Sequence, residues 1–204
     1  MDIGQGSGLA AASGVRPFLP PLLSGALARG DIGLDYDGTG WRFLESTGFL
    51  LAVLALAVLT YGAERSARNV GRSDTQTATL GRGDGRSPLQ LAFLALGMAL
   101  GALMFAGALA EGGSEAWPGL IAGAACATLA YVALGGLFGR ARRRLDAGAA
   151  GLLIAYAEGA ALALAALAVF VPPVSFLALA AFAVLLLRGG RRDDRKYAGL
   201  RVLR

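Results

Sequence analysis

From residue 148 to residue 187 the chain runs for 40 residues with one charge, Glu158, and one interruption, Pro172-Pro173. A half-exposed helix or strand of a water-soluble domain must present a polar face at regular intervals, and this run presents none. A bilayer core of ~30 Å is crossed by about 20 helical residues, so the run is long enough for two crossings. It divides at "FVPPVS", because proline lacks the backbone donor and clashes with the preceding turn. Three more apolar blocks, 43–61, 89–110 and 117–138, have the same character. The expected fold is an all-α, polytopic membrane helix bundle with five clear spans, the whole of 1–204 forming a single transmembrane domain. The composition agrees, with 55% hydrophobic and 16% charged residues and a mean hydropathy of +0.58.

Charge placement threads these blocks. Segments 64–87, 139–146 and 188–204 hold five, four and seven of the 19 basic residues. The alternating connections, 29–42 and 111–115, hold two arginines against five acids. Basic loops stay on the cytoplasmic side, so parity and charge agree at every connection. The arginine, alanine and glycine excess is that of a GC-rich bacterial genome. The expected location is therefore a bacterial cytoplasmic (inner) membrane, multi-pass, with the C-terminus in the cytoplasm. Residues 64–87 read as a cytoplasmic Arg/Gly-rich loop and 188–204 as a basic cytoplasmic tail, and membrane lipid is an expected partner. The net charge of +5 follows from the same rule. No nucleic-acid motif and no interleaved aromatics accompany it, so nucleic acid is not an expected partner.

The chain has no histidine and one cysteine, Cys126. That excludes an intrachain disulfide, a His/Cys metal site and Ser–His or Cys–His catalysis. No metal, no cofactor and no enzymatic activity are expected. The N-terminus has no basic n-region and its apolar run is broken by prolines, so no cleaved signal peptide is expected. Trp41, Trp117 and Tyr61 stand at block ends and read as interfacial anchors, whereas Tyr131 is deeper and reads as packed between helices. Gly97 and Gly101 on one block and Gly119 and Gly123 on the next have the four-residue spacing that lets helix backbones approach closely. They are expected where those two blocks meet, with a homodimer face as the alternative.

The stretch "SGVRPFLPPLL", residues 13–23, sets Arg16 and three prolines inside an otherwise apolar N-terminal segment. Pro17 disfavours helix at Arg16, and Pro20 and Pro21 remove further backbone donors. Unpaired backbone in hydrocarbon costs several kcal/mol per group, so such a break is tolerated only against protein or water. The expectation is a discontinuous membrane element, either one broken span (about six crossings in all) or a re-entrant hairpin. "FLPPLLSGALA", residues 18–28, aligns without gaps to "FVPPVSFLALA", residues 170–180, with six identities in eleven. Paired broken segments of this kind point to a transporter site built on inverted repeats, though two independent proline turns are the plainer reading.

Arg16 and Glu158 are the two charges deep in apolar sequence. A lone charge at mid-membrane costs at least ~2.5–3.5 kcal/mol, and opposite charges at similar depth relieve each other. The pair is expected to face across the interior, as structural glue or as a site for substrate or ions. In a site, Arg16 offers a fork of donors to an anionic group and Glu158 carries a proton. Ser13, Gly14, Ser24 and Pro17 lie beside the break, and Glu64 and Glu45 lie at membrane boundaries.

Three stretches, "AASGVRPFLPPLLSGALAR", "FLESTGFLLAVLALAVLTYGAE" and "DAGAAGLLIAYAEGAALALAALAVFVPP", together resemble an uncharacterised bacterial polytopic integral-membrane family, a domain of unknown function. The shared pattern is an N-terminal Gly-x-Arg-x-Phe element, a glutamate closing the next span, and a glycine-led later span with a buried Glu. The matching positions are Gly14, Arg16, Phe18, Glu64, Gly151 and Glu158. The chain departs from the pattern after Glu64, where the family's Pro/Asp-rich stretch is replaced by arginine and glycine. The resemblance implies the fold and a choice of residues, and no substrate.

Two functional readings lead. One is a small transporter or permease for an anionic or lipid-like solute using the Arg16–Glu158 pair. The other is a non-catalytic accessory subunit of a larger membrane protein complex. An intramembrane enzyme is a distant third, since no nucleophile–base pair is visible.

Overall fold

A short helix of small residues forms the hub of the molecule. The computed structural model describes residues 2–73, 88–142 and 147–198, with side chains described in 3–62, 91–135, 137 and 155–188. The regular secondary structure is helical, with no strand among the described residues. The helices are α1 (Asp2–Val15), α2 (Leu19–Ala28), α3 (Thr47–Ser73), α4 (Pro88–Glu111), α5 (Trp117–Arg142), α6 (Ala147–Phe170) and α7 (Pro173–Ala198), with a 3-10 turn at Arg42–Glu45 before α3.

Helix α1, "DIGQGSGLAAASGV", is rich in glycine and would be a poor helix in isolation. It is surrounded by α4, α5, α6 and α7, and Leu9, Ala10, Ala11 and Ala12 are completely buried. Tertiary packing therefore supplies the stability that propensity does not. The small side chains matter because backbones touch. A Cβ on Gly14 would overlap the carbonyl of Ala127 on α5, and one on Gly8 would overlap the Ser175 hydroxyl on α7.

The chain then doubles back. Gln5, near the start of α1, donates from Nε2 to the Gly33 carbonyl at 2.7 Å, just beyond the end of α2. Gly4 abuts Pro172, and the amide of Asp35 donates to Glu111 Oε1 at the end of α4 (2.9 Å). Both ends of the α1–α2 pair thus lie at one end of the bundle. At the opposite end, Phe18 meets the ring of Phe93 edge-on, 6.4 Å between centroids. The N-terminal element is a helical hairpin. At ~1.5 Å per residue its arms, of 14 and 10 residues, reach only about 21 and 15 Å.

The prolines fit this turn. The last α1-type bond runs from Arg16 N–H to Ala12 O (3.0 Å), and the first of α2 from Leu22 N–H to Phe18 O (3.2 Å). Pro20 and Pro21 sit in the first turn of α2, where four backbone donors have no intrahelical acceptor. Two of those four donors do not exist, so the break leaves half the usual number unpaired. The second Phe-x-Pro-Pro, at 170–173, likewise opens the second helix of a pair, α6–α7. It stands at the opposite end, since Pro172 touches the first turn of α1 whereas Phe18 follows its last.

Two helices are long and apolar enough to cross a membrane, in the stretches Leu91–Glu111 and Trp117–Gly135. This is fewer than the five spans expected from sequence. In α3, α6 and α7 the apolar runs Thr47–Gly62, Ala155–Phe170 and Pro173–Arg188 are shorter. The remainder of each of those helices lies outside the described side chains. Residues 74–87 of the expected cytoplasmic loop, and 199–204 of the tail, also lie outside the described residues.

The glycine pairs divide between two interfaces. Gly101, Gly119 and Gly123 line the α4–α5 contact, where Gly119 backs onto Ala106 and Gly123 onto Gly101 and Ala102. Gly97 instead faces α1, with a Cβ position 3.1 Å from the Ser13 carbonyl. The hub helix, which block-by-block reading does not foresee, takes that surface.

Candidate functional site

The hairpin tip carries the charge cluster. Arg16 is the last residue whose amide belongs to α1, and Pro17 then turns the chain, so the guanidinium projects where the hairpin ends. Its Nη2 lies 3.7 Å from Glu158 Oε1 on α6, with side chains 17% and 30% exposed. The Tyr61 hydroxyl on α3 donates to that same carboxylate oxygen. A 3.7 Å approach is an ionic contact beyond hydrogen-bond range. No hydrogen bond from the Arg16 side chain is made to any described residue. The tyrosine, rather than the arginine, holds the Glu158 carboxylate.

A narrow cleft opens beside the cluster. Arg16, Pro17, Phe18 and Leu19 line it from the hairpin, Thr60 and Tyr61 from α3, and Phe93 from α4. Its free volume of about 10 Å³ is that of one water molecule. The Thr60 hydroxyl is turned to the carbonyls of Leu56 and Ala57, 2.8 and 2.9 Å away, so it stays within its own helix.

The other residues suggested by sequence fall elsewhere. Ser13 is fully buried and donates to the Leu9 carbonyl (2.9 Å), so its hydroxyl is spent inside α1. Ser24 donates to Pro21 O and Met104 Sδ. Gly14 is a packing position against α5. Pro17 does line the cleft. The side chain of Glu64 lies outside the described residues. Tyr61 is what sequence reasoning missed, because a tyrosine closing an apolar block looks like an interfacial anchor. The signal available was its register, next to the one other hydroxyl near the end of that block, Thr60.

A second polar region lies at the opposite end. An open cleft of about 560 Å³ is lined by Arg29, Asp31, Asp37, Arg42, Glu45 and their neighbours. Arg42 Nε pairs with Asp37 at 2.9 Å and approaches Glu45 at 3.9 Å. Behind it the fully buried Tyr36 hydroxyl finds no hydrogen-bond partner among the described residues. Burial, followed by the charges of Glu111 and Glu45, raises its pKa above the ordinary phenol value. Burial also raises Glu45, with Asp37 and Asp35 adding to the shift and Arg42 opposing it.

The folded state therefore holds the Glu45 proton more tightly than the unfolded chain does. That stabilisation is complete below the ordinary carboxylate pKa of about 4.3 and is lost as pH rises through the raised value. Melting temperature measured against pH should fall over this window in the wild type, and Glu45→Gln should flatten the slope. An unchanged slope in the variant would remove Glu45 as its source.

Comparison with protein-family models, with curated proteins and with solved structures finds no match to this chain. The functional argument therefore rests on the geometry at the hairpin tip.

Proposed function

We propose that the chain is a polytopic protein of a bacterial inner membrane, C-terminus in the cytoplasm, acting as a small carrier for an anionic or lipid-like solute. The observation that carries this reading is a short hairpin whose two ends lie at one end of the bundle and whose tip bears Arg16 against Glu158. A hairpin of this length ends inside a bilayer, and irregular backbone at such depth is tolerated where it lines a passage or is buried in protein. The two Phe-x-Pro-Pro turns at opposite ends support an inverted arrangement of α1–α2 and α6–α7, as in carriers that rock about a central site. The resemblance to the bacterial membrane family belongs to the same proposal, since it selects Arg16 and Glu158.

The test is flux in proteoliposomes containing the purified chain and a pH-sensitive dye, challenged with gradients of organic anions and phosphate. Wild-type protein should dissipate at least one gradient, and Arg16→Gln should abolish that flux. Flux retained in Arg16→Gln would remove the hairpin tip from the path.

The accessory-subunit reading is favoured by one observation. On α6, Tyr156 is 76% exposed beside the exposed small residues Ala155, Gly159 and Ala163, a surface that another helix can approach closely. The mass of the native particle in mild detergent decides this. A stoichiometric set of other proteins supports the subunit, and a monomer or homodimer supports the carrier.

A further inference from the structure

We propose that the hairpin tip binds the oxyanion head of an amphiphile, which reaches Arg16 sideways from the bilayer between α3 and α6. This rests on the carrier reading above and names its substrate class: a phosphate or carboxylate head attached to an apolar tail.

The first argument is the donor set. A guanidinium carries five N–H donors, and this one, 17% exposed, makes no hydrogen bond to any described residue, which leaves its donors open to a ligand or to water. Glu158 is the nearest acceptor, and it accepts from the Tyr61 hydroxyl while its Oε1 stays 3.7 Å from Arg16, beyond hydrogen-bond range. An oxyanion accepting two parallel N–H bonds is the partner the fork is shaped for.

The lining gives the second. Beyond Arg16, Thr60 and Tyr61, the cleft is made of Pro17, Phe18, Leu19 and Phe93. At about 10 Å³ the cleft holds one water molecule, so any oxyanion enters only as its walls part, and the choice of an amphiphile rests on the apolar lining. The apolar wall suits a tail lying along it while the head reaches the guanidinium.

Access and depth give the third. Helix α3 packs on α2 and on the 3-10 turn, so α2 separates it from α6 only as far as Leu19, where α2 begins. At the tip, Tyr61 of α3 is hydrogen-bonded to Glu158 of α6. On α6 at this height Tyr156 is exposed and Gly159 has open space beside it. Along α3, Glu64 and Arg65 follow Tyr61 within about one turn, which sets the cluster near the headgroups of one leaflet.

The experiment is thermal unfolding of the purified full chain in nonionic detergent, titrated with dioctanoyl phosphatidic acid, inorganic phosphate or dioctanoyl phosphatidylcholine. Phosphatidic acid should raise the melting temperature saturably, and the other two should not at matched concentration. Arg16→Gln should remove the shift and Arg16→Lys should retain part of it. Glu158→Gln, which removes the competing carboxylate, should tighten apparent binding roughly tenfold, and Tyr61→Phe, which lets Glu158 close on Arg16, should weaken it about threefold.

Equal stabilisation by inorganic phosphate would assign the site to a free anion and overturn the amphiphile. A shift that survives in Arg16→Gln would place binding elsewhere, and equal loss in Glu158→Gln and Arg16→Gln would reduce the pair to structural glue. Because binding is read without flux, a carrier assay that fails while phosphatidic acid still binds overturns transport alone.

Discussion

Glu158→Leu will destabilise the protein by about 2–3 kcal/mol. Leucine leaves the Arg16 guanidinium without its counter-charge and the Tyr61 hydroxyl without the acceptor it now has. A fully buried pair broken in this way loses ~3–5 kcal/mol, and the 30% exposure of Glu158 lowers the figure through screening. The double variant Arg16→Leu with Glu158→Leu should recover most of the loss, because an apolar pair carries no stranded charge. Exchanging the charges, Arg16→Glu with Glu158→Arg, should recover less, since Tyr61 then faces a cation that cannot accept its proton. The readout is the melting temperature in detergent together with the monodisperse fraction. If the double variants melt no higher than the worse single, the attraction between the two residues contributes nothing and the cluster is held by packing alone.

The second large effect is expected from a single methyl group. Gly14→Ala puts a Cβ into the space occupied by the Ala127 carbonyl, and neither backbone has a flexible side chain to give way. Overpacking of this kind costs typically 1–3 kcal/mol, and two backbones pressed together place it at the upper end. For a chain of this size that lowers the melting point by roughly 6–12 °C. Gly135→Ala is the control, because nothing lies within 4 Å of its Cβ position. It should be neutral or gain up to ~1 kcal/mol from helix propensity. Equal melting of the Gly14 and Gly135 variants would show that α1 does not sit against α5 as described.

Several elements of this arrangement are readable in the sequence for physical reasons. Helices are dictated by apolar blocks too long for strands, and the break after Arg16 by three prolines in five residues. Arg16 and Glu158 stand out because charge in an apolar stretch is costly, and the structure sets them 3.7 Å apart. The direction taken after the break is not readable, since prolines end a helix without saying whether the chain continues or returns. It is decided by distant groups such as Gly33, which accepts from Gln5. Ser13 mimics a site residue in sequence because nothing local reveals that Leu9 O will accept its proton. The central place of α1 had a faint signal in "GQGSGLAAASG". Such small side chains leave a helix little to offer lipid and much to offer neighbouring backbones.

The position of α1 also has a consequence for biosynthesis. The partners that enclose it lie on α4, α5, α6 and α7, so their residues emerge from the ribosome roughly 80 to 170 positions after it. At 14 residues it is too short to be held across the bilayer by itself. On the membrane reading proposed above, this helix therefore reaches its slot only after α7 has been made. Docking of α1 is then the closing event of assembly, and a bulky group attached ahead of it should trap an open bundle that lacks its hub.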